Sequence, residues 1–426
     1  MAKILISFLG TGPLTRDGNA QRMYRAAKYK LGDCTMECTF VAKMLAQKEN
    51  ADKIFLIGTP HSMWEEVYAS FSGAEKDDNK WLEIGDYCDK ANKDSDLTIP
   101  HKNDVEAALG PESKVILVHY GLNDAEIKEN LEIVLSIIKD LKPRDEIVVD
   151  ITHSFRSLPL IIMNLLFYLR TVNNPKVTIS HIYYGMLEVS RDLGYAPIID
   201  LKQVLDITDW TIGAYAFREF GISQQICELL RDKQNDLSDH LMRFSKLLSL
   251  NYLDPLQKEA QRLSSLKNYE YDSLFQSLTI KPVIEDFIKT FANEDNPYRF
   301  QYNLAQWQFE KFNLLASMTT LLEATITYAC STNAGITIPE IHKMLDWKDK
   351  DSRDFCKKML QSKNNNATAR KSFYVDQTLK DIYRSINNKR NNLVHQTVQT
   401  NSSADEYVKA IEENLKAFGN LIVESH

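Results

Sequence analysis

Hydrophobic positions follow different periods in the two halves of the chain. Up to about residue 200, short runs that are apolar throughout alternate with amphipathic helical segments. The strand candidates are Lys3–Gly10, Lys53–Thr59, Lys114–Gly121, Glu146–Thr152 and Val177–Gly185. Apolar strands that alternate with helices are typical of a parallel-rich sheet covered by helices on both faces. The sequence therefore predicts an α/β domain over residues 1–205.

The second half follows a helical period almost throughout. From about Thr208 onward apolar residues recur every three or four positions, and Trp307–Ala329 is a long apolar helix candidate. The stretch Asn293–Phe300 interrupts the pattern with proline and polar residues. We therefore predict that residues 206–426 form an all-helical region.

One helix near the carboxyl terminus carries an unexpected charge. Leu379, Ile382, Tyr383 and Ile386 form an apolar stripe, and Arg390 continues it four residues later. An unpaired guanidinium is costly to bury, so it is rarely placed on such a face without a partner. The pattern indicates that Arg390 meets a polar group or a second molecule.

Composition limits the kinds of protein that this chain can be. The 426 residues, 44% apolar and 26% charged, are typical of a soluble globular protein of two or three domains. The amino terminus lacks a cleavable signal pattern, and no apolar run is long enough to span a membrane. The six cysteines are scattered; Cys34 and Cys38 lie close together but lack a second pair for a zinc site. We therefore expect reduced thiols and a cytoplasmic location.

The net charge of −7 argues against general affinity for nucleic acid but leaves room for a local basic site. Such a site is predicted between residues 361 and 400, which contain seven basic side chains against two acidic ones. A solvated helix face would have the same composition.

The first candidate ligand loop follows the first strand and reads GTGPLTRDGN, Gly10–Asn19. Its backbone N–H groups could bind an anion, but Thr15 stands where a dinucleotide fingerprint needs its third glycine, and the Walker pattern is absent. The second strand ends LIGTP, without the acidic residue that holds a ribose. Neither NAD nor ATP is implied, and a simple tight turn would look similar.

A second loop carries more chemistry. In EIVVDITHSFRSLP the side chains of Thr152, His153, Ser154 and Arg156 come directly before a predicted helix. A helix amino terminus attracts anions through its free N–H groups and its dipole. The alternative is a capped helix with Arg156 in an ordinary salt bridge. We expect Asp150, at the end of the strand, to support the loop by hydrogen bonds.

These motifs together resemble the CRISPR-associated CARF–HEPN ribonucleases of type III systems, the Csx/Csm-type group. DITHSFR is similar to the Asp-x-Thr-His signature of that family, GTG to its first ligand loop, and YYGMLE to the end of its sensor domain. RNNLVH matches the Arg-x4-His signature of HEPN nucleases, with Asn391 directly after the arginine. The chain departs from the pattern at Ser154, where the family often has glycine.

The resemblance implies a Rossmann-like CARF sensor at 1–205 and a helical region at 206–426 that ends in a HEPN domain. A cyclic oligoadenylate, the tetra-adenylate or alternatively the hexa-adenylate, would activate a metal-independent endoribonuclease that cleaves single-stranded RNA. The implied ligand-binding residues are Gly10, Thr11, Gly12, Thr152, His153, Ser154, Phe155, Arg156, Tyr184 and Gly185. The implied catalytic residues are Arg390, Asn391 and His395. A homodimer or higher oligomer, and a functional link to the type III interference complex, are also implied.

The residue chemistry is compatible with this reaction. The 2′-hydroxyl of RNA can attack its own phosphate and leave a 2′,3′-cyclic end, which needs proton transfer and a cation on the phosphorane. His395 could move the proton or orient the hydroxyl, and Arg390 binds phosphate bidentately. Residues five apart on a helix point about 140° away from each other, so two copies would be needed to close one site. We also expect Glu323 to form an internal ion pair, with Arg390 as one candidate partner.

Three other functions remain open from the sequence. In the first, the protein is a ligand-binding regulator whose helical half is a non-catalytic dimerisation or transcription-regulating module. In the second, the protein is an unregulated RNase toxin, although this would leave the Thr-His loop unexplained. A metal-dependent DNase would need an acidic cluster with a lysine, and none stands out in the helical half.

Overall fold

The computed structural model describes residues 1–12, 26–153, 157–230, 236–264, 269–271, 273–292, 294–334, 336–338, 342–362, 375–394 and 403–424. The chain forms two compact units, Met1–Thr208 and Asp209–His426, which we call unit 1 and unit 2. The division falls close to residue 205, where the sequence predicts a change of period.

Unit 1 is built on one eight-stranded sheet. Its strands are β1 Lys3–Leu9, β2 Ala27–Leu31, β3 Cys34–Cys38, β4 Lys53–Gly58, β5 Lys114–Leu117, β6 Glu146–Asp150, β7 Thr178–Gly185 and β8 Ala196–Asp200. Their spatial order is β3-β2-β8-β7-β6-β1-β4-β5. The five strands from β7 to β5 are parallel, whereas β8 runs antiparallel to β7 and β3 runs antiparallel to β2.

Helices cover both faces of this sheet. They are α1 Val41–Glu49, α2 Trp64–Ser72, α3 Asp78–Lys90, α4 Lys102–Leu109, α5 Asp124–Ser136, α6 Ser157–Val172 and α7 Ser190–Leu193, with α8 Gln203–Phe220 crossing the division between the units. Residues of α5 and α6 pack with Ile4, Ile6 and Phe8 of β1. Leu5 and Leu9 of the same strand pack on the other side, with α1 and with α2 to α4 respectively. The predicted α/β half is therefore confirmed. Because helices cover the sheet on both sides, β1 is apolar on both of its faces.

The order of the strands creates a crevice beside β1. After forming β2 and β3 at the far edge, the chain builds β4 and β5 on one side of β1, then returns to place β6 and β7 on the other side. Open α/β sheets bind ligands at such a switch point, outside the carboxyl ends of the strands. The two sequence-predicted loops follow β1 and β6, so both begin at this crevice.

The sequence prediction missed β2, β3 and β8, the three strands at one edge of the sheet. The strands β2 and β3 form a hairpin around Gly32, which has a positive φ of 57°. Lys28, Lys30 and Glu37 break the apolar run that marks the other strands. A Gly-Asp turn between two alternating segments was nevertheless a recognisable hairpin signal.

Unit 2 is mostly helical, as predicted. Its helices after α8 are α9 Gln224–Leu229, α10 Asp236–Ser249, α11 Leu253–Leu263, α12 Leu274–Phe287, α13 Pro297–Glu310, α14 Leu314–Thr332, α15 Lys350–Gln361, α16 Gln377–Val394 and α17 Ala404–Glu424. A π-helical turn, Ile288–Ala292, continues α12. A short antiparallel pair, β9 Thr337–Ile338 and β10 Lys343–Met344, lies between α14 and α15.

Two hydrophobic cores organise unit 2. One joins α8 to α13 and contains Phe217, Phe244, Phe287 and Phe291. The other joins α13 to α17 and contains the predicted stripe Leu379, Ile382, Tyr383 and Ile386, all of which are buried. None of the described helices is long and apolar enough to cross a membrane.

Candidate functional site

A buried carboxylate organises the loop that follows β6. Asp150 is fully buried and accepts three hydrogen bonds: from Ser7 Oγ at 2.5 Å, from Thr152 Oγ1 at 2.6 Å and from the Thr152 backbone N–H at 2.9 Å. Bonds to an ionised carboxylate are about twice as strong as neutral ones. Asp150 therefore fixes the start of the loop against β1, which is the supporting role that the sequence suggested.

Thr152 connects this loop to the end of β7. The backbone N–H of Gly185 donates to Thr152 Oγ1 over 2.8 Å. A Cβ atom at position 185 would lie 3.2 Å from Thr152 and from Tyr29, which is tighter than most contacts, so glycine fits best here. The predicted ligand residues Thr152 and Gly185 are thus in direct contact. The neighbouring Tyr184 hydroxyl bonds to Glu188 at 3.2 Å.

His153 is the next residue of the loop, and its ring contacts the edge hairpin. Its Nε2 lies 3.3 Å from the hydroxyl of Tyr29 on β2. Burial lowers the pKa of His153, although the nearby Asp150 carboxylate opposes this shift. The imidazole is therefore mainly neutral at pH 7. Sequence reasoning missed Tyr29, because it belongs to the hairpin that was not predicted.

The loop after β1 is supported by the loop after β4. Gly12 has a φ of 69°, and a Cβ atom there would lie 2.3 Å from the Sδ of Met63. The backbone N–H of Met63 donates to the Gly10 carbonyl at 3.3 Å, and Ser62 Oγ donates to the Leu9 carbonyl at 2.9 Å. The conformation of Gly10–Gly12 thus requires glycine at position 12. Ser62 and Met63 are supporting residues that the sequence analysis did not identify.

Ser154, Phe155 and Arg156 lie outside the described residues, and so does His395. The described part of the predicted ligand set is Gly10, Thr11, Gly12, Thr152, His153, Tyr184 and Gly185.

Two of the three candidate catalytic residues, Arg390 and Asn391, lie near the carboxyl end of α16. Arg390 is half-buried, and its Nη1 donates to Asn391 Oδ1 at 3.0 Å. Its Nε is buried and has no hydrogen-bond partner within the described ranges. An unsatisfied donor in such a place is costly, so this guanidinium is suited to receive an additional acceptor.

The expected internal ion pair of Glu323 is confirmed, but the candidate partner Arg390 is wrong. Glu323 on α14 forms its ion pair with Arg353 on α15. Arg353 also donates to Thr327 Oγ1 at 3.1 Å and to the Trp347 carbonyl at 3.0 Å. A guanidinium has five donors in a fixed fork, and here it reaches three acceptors, two on α14 and one in the loop before α15. Sequence spacing did not reveal that α15 supplies the nearer cation.

Comparison with known proteins defines the amino-terminal half. A family model for the CARF domain of the CRISPR system endoribonuclease Csx1 matches residues 4–188. The amino-terminal half of the chain is a CARF domain. A second model, for the second domain of CRISPR-associated protein MJ1674, matches residues 206–297. Both crevice loops lie within the CARF match, whereas neither match reaches Arg390.

Two individual relatives extend this comparison. CRISPR-associated protein MJ1674 of Methanocaldococcus jannaschii is 31% identical over 415 residues, which cover 93% of this chain. The chain spans 63% of the length of that relative. A solved structure of Enterococcus italicus Csm6, bound to cyclic hexa-2'-fluoro-hexa-dAMP, is 11% identical with a TM-score of 0.40. It covers 100% of this chain and 94% of that protein, but so low a score is too weak to support an inference.

Proposed function

We propose that this protein is a CARF sensor that binds a cyclic oligoadenylate and thereby activates a metal-independent RNase in its helical unit. The observation that carries the proposal is the position of the two loops. Gly10–Gly12 and Thr152–His153 meet the switch-point crevice inside a matched CARF domain. The RNase would cleave single-stranded RNA in type III CRISPR defence.

The crevice is suited to a phosphate-bearing ring. Backbone N–H groups in the glycine loop and at the amino terminus of α6 are natural donors to phosphate oxygens. His153 adds an imidazole that a phosphate would favour in its protonated form. The Asp150 hydrogen bonds hold the loop in place before the ligand arrives, which lowers the entropic cost of binding.

The outer face of α6 supports a sensor dimer. Leu160 and Phe167, seven residues apart on this helix, are 69% and 44% exposed. Residues seven apart share one face of a helix, and this face begins directly after the ligand loop. Two copies that pair through α6 would bring two loops to one ring of approximate two-fold symmetry.

For the chemistry, we assign Arg390 to the phosphorane charge, Asn391 to positioning, and His395 to proton transfer or to orienting the 2′-hydroxyl. The half-buried Arg390 supports this assignment, because its guanidinium has N–H donors beyond the one that it gives to Asn391. Positions five apart on an ideal helix point about 140° away from each other, so Arg390 and His395 of one copy would not converge on one point if the helix continued to residue 395. A second copy of the helix would complete the site.

The control step is energetically feasible. Changing the active fraction from about 1% to 99% needs roughly 5.5 kcal/mol of preference for the active state. Charge-assisted hydrogen bonds contribute about 1.5–3 kcal/mol each. Two to four phosphate bonds formed only in the active state are therefore sufficient.

The test is an RNase assay with the full chain in excess chelator, with and without cyclic tetra-adenylate or hexa-adenylate. We expect one ring to activate cleavage and to leave 2′,3′-cyclic phosphate ends. His153→Ala and Arg156→Ala should shift the activation curve to higher ligand concentration. His181→Ala, which removes a half-exposed histidine that pairs with Asp200, is the matched control.

No response to either ring in the wild type would refute the regulated nuclease. Activity that is lost in chelator and restored by magnesium would refute the metal-independent chemistry. Identical activation curves for the wild type and both loop variants would refute the ligand loop.

A further inference from the structure

Two thiols meet inside unit 2, where α14 packs against α15. The Sγ atoms of Cys330 and Cys356 are 3.1 Å apart, and the two side chains are 1% and 0% exposed. A disulfide needs its sulfurs at about 2.05 Å, so these atoms must approach by only about 1 Å. None of the six cysteines forms a disulfide in this structure.

The surrounding contacts hold the two thiols together. The Glu323–Arg353 ion pair also joins α14 to α15. Cys330 Sγ lies 3.9 Å from the Ser352 carbonyl, one turn before Cys356 on the same helix. These contacts hold α14 against α15, so the two sulfurs are already adjacent before any reaction.

The electrostatic environment favours one of the two as the first to react. A hydrogen bond to Cys356 lowers the pKa of the Cys330 thiol, and the Arg353 cation lowers it further, although burial opposes both effects. The same hydrogen bond, together with burial, raises the pKa of Cys356. The thiolate is the reactive form of cysteine, so Cys330 is the expected nucleophile.

We propose that Cys330 and Cys356 are a dithiol pair that a peroxide converts to a reversible disulfide between α14 and α15. This would revise the expectation from the sequence that all six cysteines remain reduced.

The reaction balances with hydrogen peroxide as the two-electron oxidant. The Cys330 thiolate attacks one peroxide oxygen and breaks the O–O bond, which gives a sulfenic acid and, after protonation, one water. The Cys356 thiol then loses its proton and attacks the Cys330 sulfur. The S–O bond breaks, the hydroxide takes up that proton, and a second water leaves. A small-molecule dithiol reverses the step by thiol–disulfide exchange.

Such a bond should stabilise unit 2. It would close a loop between positions 330 and 356, which restricts the unfolded chain more than the folded one. For a unit of this size we expect the thermal midpoint to rise by about 7–14 °C. Because both sulfurs are buried, peroxide should oxidise them more slowly than it oxidises the half-buried Cys34.

The experiment treats the reduced full chain with hydrogen peroxide, then denatures it in an alkylating reagent and maps the cysteines by mass spectrometry. We expect Cys330 and Cys356 to escape alkylation, to appear in one cross-linked peptide and to be recovered by dithiothreitol. The unit 2 thermal midpoint should rise in the wild type and in Cys34→Ala, but not in Cys330→Ala or Cys356→Ala. The mapping uses the wild type alone, so it does not depend on the folding of any variant.

Three results would overturn the proposal. The first is full alkylation of Cys330 and Cys356 at a peroxide dose that fully oxidises Cys34. The second is either of them as a sulfinic acid or linked to a different cysteine. The third is the expected cross-link without any rise in the thermal midpoint.

Discussion

Replacing Thr152 with valine removes a single hydroxyl that makes two hydrogen bonds at the crevice. Thr152 Oγ1 donates to Asp150 and accepts from the Gly185 N–H. Valine has nearly the same shape, so little else should change. The Gly185 N–H would lose its acceptor, which costs about 1–3 kcal/mol, and Asp150 would lose one of three donors, a bond worth about 1.5–3 kcal/mol.

These two terms share one hydroxyl and are not fully additive, so we expect a loss of about 2–4 kcal/mol in the local stability of the β6–β7 region. That corresponds to roughly 30- to 700-fold faster amide exchange. The assay is hydrogen exchange of the full chain, followed by mass spectrometry of the peptides that contain Gly185.

The control is Thr152→Ser, which keeps the hydroxyl and loses only the methyl group. It should show a much smaller increase in exchange than valine. A peptide from α17, which belongs to unit 2, should exchange equally in all three proteins. If Thr152→Val protects Gly185 as well as the wild type does, the hydroxyl does not hold these strands together and our account of the loop is wrong.

Three further predictions concern other parts of the molecule. Arg390→Ala and His395→Ala should each reduce RNA cleavage at least 100-fold while activator binding, measured by calorimetry, is retained; near-normal cleavage in either would remove that residue from the site. Because the pKa of His153 is lowered on folding, its contribution to stability is present above about pH 6.5 and is lost as the pH falls. In His153→Gln the thermal midpoint should therefore depend less on pH between pH 7 and 5 than in the wild type. An unchanged slope of midpoint against pH would contradict this. Glu323→Gln should lower the free energy of unfolding of unit 2 by about 1–2 kcal/mol in denaturant titrations. The same loss should appear in an Arg390→Ala background and disappear in an Arg353→Ala background. The opposite pattern would identify Arg390 as the partner of Glu323.

The sequence predicted those parts of the fold that produce a simple hydrophobic period. The central strands are apolar on both faces, and the helical half repeats every three to four residues, so both halves were correctly assigned. The β2–β3 hairpin was missed because polar residues such as Lys28 and Glu37 interrupt its pattern. The Tyr29–His153 contact joins positions 124 apart, and it depends on β2 pairing with β8 at the edge of the sheet. Long-range pairings of this kind leave no local signal.

The geometry also separates two roles that the sequence had grouped together. Thr152 was predicted as a ligand residue, yet both of its donors, the backbone N–H and the hydroxyl, are directed to Asp150. A hydroxyl has one hydrogen to donate, so Thr152 could bond a phosphate oxygen only by giving up its bond to a buried carboxylate. That exchange would leave Asp150 with fewer donors, and the phosphate would have to compensate for the loss. We therefore infer that Thr152 positions the loop, and that in the proposed complex the phosphate contacts would come from backbone N–H groups and from the residues that follow. If so, Thr152→Val should weaken activator binding only as far as it loosens the Gly185 amide, and the two effects should change together across the valine and serine variants.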